Sequence, residues 1–274
     1  MDGRNKKFIL ELQKKPKLRR ESGLYTIDGP KMAGEIDPFD AENIFVTKEF
    51  LSSKHFEDCA ELIKSRPYTL ISEAEMKQLS DTVSPQGILV VAKQKKYKGL
   101  GAFAEASLKY AADNNAKAPL FVLLETLQDP GNLGTVIRAC EAAGATGIIA
   151  DAETVDIYSP KVVRSTMGAI LRLPYIAVQN LKKAADLLKS GELCGQSVRL
   201  YAAHLDGAKD YTAVDFTGPS AFMIGNESRG LSDELTKLAD EKILIPMCGH
   251  TESLNAAVAA AVICFEASRQ RRKA

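Results

Sequence analysis

From residue 119 to the end, short apolar runs alternate with longer segments whose apolar positions recur every three or four residues. PLFVLLE, TGIIA, LPYIAV, RLYAA, SAFMIG and KILIP carry few polar positions, as strands covered on both faces do. NLGTVIRACEAAG, SPKVVRSTMGAI, LKKAADLLKSG and LSDELTKLAD fall between them with helical spacing. SLNAAVAAAVICFEASRQRR closes the chain as a long helix that begins near Ser253. This alternation predicts an α/β domain with a mostly parallel sheet and helices on both faces. Residues 23–92 mix shorter elements. GLYTIDG and QGILVVAK read as strands, and GPKMAGEI, SSKHFEDCAELIKSR and SEAEMKQLSD as helices. The last opens on Ser72 with Glu75 three residues on, a capping box. Residues 93–118 hold a lysine-rich turn, KQKKYKGLG, and an Ala-rich helix, AFAEASLKYAADNNA, which serve as a linker or as the first helix of the second block.

The net charge of +1 is uninformative, but its distribution is not. Residues 4–20 hold eight Lys/Arg against one acidic residue, 93–98 add four lysines, and residues 269–273 read RQRRK. Such clusters suit a phosphate backbone, and they equally suit solvated tails. The five cysteines are scattered without a CxxC, and the three histidines lack metal-ligand spacing, so the expectation is a reduced, cytoplasmic chain with no metal. No apolar run approaches a membrane span, and no signal peptide is expected.

In an open parallel sheet, ligands bind at the carboxyl ends of the strands. Three of those junctions carry candidate chemistry. In DPGNLGTVIRA, Gly134 lies one helical turn before Arg138, so the guanidinium can lean back toward the strand end. The plainer reading makes Asn132 a helix cap and Arg138 a packed, salt-bridged arginine. In FMIGNESRGLSDEL, Glu227 sits on a glycine loop at a strand end, where it can orient a polar group or simply face water. In ILIPMCGHTESLNAAVAA, a helix start offers free N–H groups to an oxygen-rich ligand, with Ser253 as its alternative cap. No GxGxxG or GK[ST] follows a strand, which excludes dinucleotide and P-loop readings.

The trio N-x-G-x-x-x-R, G-N-E-x-x-G-L and I-P-M…S-L-N, in this order, resembles the three motifs of the SpoU/TrmH (SPOUT-class) RNA ribose 2′-O-methyltransferases. YTIDGPKMAGEI and SPQGILVVAK resemble the ends of the small substrate-binding domain that precedes many of them. The resemblance implies a basic arm over 1–22, an L30e-like RNA-binding α/β domain over 23–95, a linker or first helix over 96–118, and a methyltransferase domain over 119–274 with a C-terminal trefoil knot. It implies S-adenosylmethionine as cofactor, contacted by Gly225, Ile245, Met247 and Leu254. It implies a site of Arg138, Asn132, Glu227, Ser253 and Asn255, in a homodimer acting on RNA, most often large-subunit ribosomal RNA. Arg138 is expected at the 2′-hydroxyl, reaching the partner subunit's cofactor. One departure is Ala257, where the family often has a hydroxyl residue. The alternatives are a tRNA ribose methyltransferase and a non-catalytic RNA-binding protein. The arm's Lys14, Lys15, Lys17, Arg19 and Arg20 are expected to contact phosphate.

Overall fold

The computed structural model describes residues 3–206, 209–226 and 228–273, which form two compact units. One takes in the chain through Lys95 together with Asp156–Leu171, and the other takes in Lys96–Val155 and Arg172 onward.

The first unit opens with α1 (Gly3–Lys14) and α2 (Pro16–Ser22), followed by β1 (Leu24–Asp28), α3 (Pro30–Ala33), β2 (Ala41–Val46) and α4 (Lys48–Leu51). Then come α5 (Ala60–Ser65), β3 (Thr69–Leu70), α6 (Glu73–Leu79) and β4 (Ile88–Lys93). The strands order as β1-β4-β2-β3, with β1 and β2 antiparallel to β4 and β3 parallel to β2. The hydrophobic pattern hides β2, because Glu42 and Asn43 are both exposed and a bulge between Ala41 and Asn43 breaks the alternation. The capping box on α6 forms as expected, between Ser72 and Glu75.

The basic stretch 4–20 is helical rather than a solvated tail. Ile9 and Leu12 of α1 are buried against Phe45, Met76, Leu79 and Leu89. Pro16 starts α2 and Gly23, at φ 68°, ends it. Arg19 departs from its expected place among the phosphate contacts, since it is 3% exposed. Its Nε donates to Asp156 Oδ2 at 2.7 Å, and its Nη1 donates to the carbonyls of Leu12 and Gln13 at 2.7 and 2.8 Å. Lys7, Lys14 and Lys17 do face solvent. Asp156–Leu171 joins this unit through the Arg19 pair, through an ion pair of Arg164 with Asp81, and through Tyr158, whose ring lies 4.7 Å from that of Tyr25.

The second unit begins with α7 (Leu100–Asp113), β5 (Leu120–Leu124), α8 (Pro130–Ala142) and β6 (Gly147–Asp151). The chain then forms α9 (Pro160–Thr166), which packs with the first unit, and α10 (Ala169–Arg172). The segment read as one helix splits here because Met167 and Gly168 take left-handed φ values of 51° and 96°. Next are β7 (Tyr175–Val178), α11 (Leu181–Ser190), β8 (Arg199–Ala203), β9 (Lys209–Asp210) and β10 (Ser220–Ile224). The chain closes with α12 (Asp233–Thr236), β11 (Glu241–Leu244) and α13 (Ala256–Lys273).

The seven strands order as β7-β6-β5-β10-β8-β11-β9, and every described pairing is parallel. β5 and β10 are buried along their whole length, which explains their uninterrupted apolar runs. From β5 the chain moves to β6 on one side, while from its neighbour β10 it moves toward β11 on the other. That reversal puts a topological switch point between β5 and β10. α8 and α13 meet at Asn132–Asn255 and again at Cys140–Cys264, eight and nine residues further on, so they run in the same direction. Ala256, Ala257 and Ala260 are buried, and their small side chains permit close helix packing. The Cys140 and Cys264 sulfurs lie 3.8 Å apart. That contact, and then burial, raise the Cys140 thiol well above its ordinary value, so it packs as a small apolar group.

Candidate active site

β10 ends at Ile224, and the chain doubles back at once. Asn226 N donates to Gly230 O at 3.0 Å, and Gly230 N donates to Asn226 O at 2.9 Å. A Cβ on Gly225 would lie 2.1 Å from the Gly230 carbonyl carbon, so only glycine permits this turn. The Asn226 side chain shapes the loop tip, its Oδ1 accepting from Ser228 N at 2.9 Å and Arg229 N at 3.2 Å. Its Nδ2 donates to Thr126 O at 2.8 Å, which ties this loop to the one after β5. After β11 the chain runs without regular structure to Asn255, where α13 starts.

These loops wall a cavity of about 720 Å³ at the carboxyl ends of β8, β10 and β11. That size suits a nucleoside-sized ligand. All four residues expected to contact the cofactor (Gly225, Ile245, Met247 and Leu254) line it, and so does Ser253. His204 lines it from the end of β8, anchored by its N–H to Ile243 O at 3.0 Å.

Asn132 and Asn255 also meet, with Asn255 Nδ2 donating to Asn132 Oδ1 at 2.9 Å. Neither helix is capped as the sequence suggested. Asp129 caps α8, accepting from Asn132 N at 2.8 Å, because Pro130 fixes the first helical position. Asn255 accepts from Ala257 N at 2.9 Å and Val258 N at 3.3 Å, so α13 starts after Ser253 rather than at it. Asn255 thus links two helix starts. Arg138 is exposed and lies outside the residues that wall the cavity. Among the described residues no hydrogen bond or ion pair engages its guanidinium, which contradicts the packed, salt-bridged reading. Glu227 lies outside the described residues.

Pattern reading passed over Asn226 and Glu125. Glu125 Oε2 accepts from Ser232 N at 2.7 Å, fixing the far end of the β10 loop. Glu125 gave no signal, being a polar residue after an apolar run. Asn226 stood in plain sight inside the glycine loop.

Residues 119–265 match the SpoU rRNA Methylase family. The chain belongs to this family. Residues 5–90 match the MRM3-like substrate binding domain, so the basic helices fall within the front domain of this SpoU chain. The chain is 40% identical over 152 residues to a 23S rRNA (uridine(2479)-2′-O)-methyltransferase of Streptomyces viridochromogenes, covering 56% of the chain and 53% of that relative. The match thus spans about half of that relative's length. It is 27% identical over 249 residues to the 23S rRNA (guanosine(2553)-2′-O)-methyltransferase RlmP of Bacillus subtilis, covering 91% of the chain and 90% of RlmP. Among solved structures, the SpoU methyltransferase AviRb from S. viridochromogenes in complex with AdoMet superposes with a TM-score of 0.80 at 26% identity, covering 99% of each chain. The expected α/β architecture is that of these SpoU structures.

Proposed function

We propose that this chain transfers a methyl group from S-adenosylmethionine to a ribose 2′-hydroxyl of large-subunit ribosomal RNA. The cavity at the ends of β8, β10 and β11 carries the reading, because it unites the four cofactor positions that the motifs singled out. Its chemistry fits that cofactor. Ile243, Ile263 and Leu254 offer apolar walls to a purine, while Asn226, Ser228 and Ser253 offer polar groups to a ribose and an amino-acid tail. The tight Gly225–Gly230 turn brings backbone close to whatever fills the space. When bound, S-adenosylmethionine supplies an electrophilic methyl group on a sulfonium.

The chain's own residues hold the reactants and stabilise charge. Fixing two reactants in attack geometry contributes up to about 7–11 kcal/mol. The Asn132–Asn255 bridge sets the mutual position of the α8 and α13 starts. Arg138 is permanently cationic, so it acts as an electrostatic partner for the developing 2′-alkoxide or the adjoining phosphate, not as a base. Its exposure, apart from the cavity of its own chain, supports a homodimer in which it completes the partner's site. Val258 and Phe265, 47% and 45% exposed on α13, provide apolar surface for such a contact. A C-terminal trefoil knot belongs to the same proposal, and the backbone trace of a crystal structure tests it.

The names of the relatives support ribosomal RNA as substrate. The test is to map alkali-resistant 2′-O-methyl linkages in ribosomal and transfer RNA from cells with and without the protein. One ribosomal position should lose its resistance when the protein is absent. Loss at a tRNA position would move the substrate to tRNA, and no loss anywhere would favour a non-catalytic RNA binder.

A further inference from the structure

Thr126 stands two residues beyond β5, where the connections of the sheet diverge, and its φ is 55°. A β-branched residue rarely takes this left-handed conformation unless its surroundings impose it. The surroundings here are one carboxylate. Asp151 Oδ2 accepts from Thr126 N at 2.8 Å and from Thr126 Oγ1 at 2.7 Å. Its Oδ1 accepts from Thr154 N at 2.8 Å and from Thr154 Oγ1 at 2.7 Å. Thr154 Oγ1 accepts in turn from Leu127 N at 3.2 Å, and Val155 N donates to Leu127 O at 2.9 Å. Asp151 therefore fastens the loop after β6 to the loop after β5 with four accepted bonds.

The constraint continues toward the cavity. With Thr126 held left-handed, its carbonyl accepts from Asn226 Nδ2 at 2.8 Å. Asn226 lines the cavity and orders the β10 loop through its bonds to Ser228 N and Arg229 N. We propose that Asp151 is a positioning residue for cofactor binding. It imposes the strained Thr126 backbone, Thr126 O aims Asn226, and Asn226 sets the loop that walls the cavity. The proposal rests on the cofactor reading above and assigns a residue none of the three motifs contains.

A carboxamide cannot replace this carboxylate, since its NH2 group would face two donors. Asp151→Asn should weaken S-adenosylmethionine binding by about tenfold, the size expected when a charge-assisted hydrogen bond is lost. Glycine takes a positive φ without strain, so Thr126→Gly alone should bind within about threefold of wild type. In that background Asp151→Asn should lose most of its effect, because glycine keeps the positive φ without the carboxylate. Asn226→Asp keeps the loop acceptor and removes the donor to Thr126 O. It should weaken binding by a similar factor and not add to Asp151→Asn. Amide hydrogen exchange of the ligand-free proteins supplies a second readout, with the Ser228 and Arg229 amides exchanging faster in Asp151→Asn and protected again in the double variant. Titration calorimetry and exchange are to be run on the full chain. A double variant as weak as Asp151→Asn, or unchanged exchange at Ser228 and Arg229, overturns the proposal. If wild type binds no S-adenosylmethionine, the cofactor reading fails, and the exchange result still decides whether Asp151 controls the loop.

Discussion

Arg138 is the residue on which the proposed chemistry turns, and its surroundings are sparse. A guanidinium used for packing would be buried and paired, as Arg19 is. Arg138 is exposed and engages no described partner, which costs the fold little and leaves its donors for a ligand. Arg138→Ala should therefore fold normally, bind S-adenosylmethionine with unchanged affinity and lose about 10²–10³ in methyl transfer. Arg138→Lys should recover little of this, because an ammonium lacks the planar fork. Single-turnover transfer of a labelled methyl group, beside calorimetry, separates chemistry from binding. A parallel loss of cofactor affinity would place Arg138 in the cofactor site instead.

At the scale of elements, α13 must be held at both ends for the loop before it to wall the cavity. Asn255 holds the start. Arg271 holds the end, donating to the carbonyls of Phe216, Ala118 and Gly218 at 2.9, 2.9 and 2.7 Å. Burial lowers the pKa of this guanidinium, yet an arginine stays charged, and the carbonyls replace its lost water. Arg271→Met keeps much of the bulk and strands those acceptors. It should cost about 3 kcal/mol in urea unfolding, and a loss below about 0.5 kcal/mol would show that the clasp contributes nothing. Exposed basic charge lies on α1 and α2. Lys7 and Lys14 are two turns apart on the solvent face of α1, roughly 10 Å along the axis. Charge reversal at Lys7, Lys14 and Lys17 should weaken RNA binding and flatten its salt dependence by about two to three units of log–log slope. Arg19 must be left intact, since reversing it would place like charge against Asp156. An unchanged slope across a salt series would remove these two helices from the RNA interface.

At the scale of the whole molecule, the proposed site is divided between two copies. In that proposal one chain carries the cavity and the other supplies the arginine. Arg138→Ala and Gly225→Ala should each be inactive alone, the second because a Cβ at 225 collides with Gly230. Co-expressed, they should form mixed dimers with one intact site each, which restores about a quarter of wild-type activity when subunits pair at random. No recovery in a preparation shown to be dimeric by light scattering would mean that Arg138 serves its own chain.

The parallel sheet and one glycine turn were legible in the chain's own pattern. Alternation of apolar strands with helices specified the parallel sheet, because burial on both faces writes itself as unbroken apolar runs such as LFVLL. The glycine turn at 225–230 was legible because its close backbone approach admits one residue type. Tertiary structure decided the rest. It buried Arg19 in an ion pair with Asp156 and left Lys14, Lys15 and Lys17 in solvent, a distinction that a run of like charges cannot encode. It put Asn132, which alone read as an ordinary cap, against Asn255, 123 positions away. It gave Thr126 a left-handed backbone through a carboxylate on the next strand. Periodicity reports which face of an element is dry, since the geometry of a helix or strand repeats locally. Hydrogen bonds between distant loops depend on where folding brings two chain segments, and no local pattern carries that information.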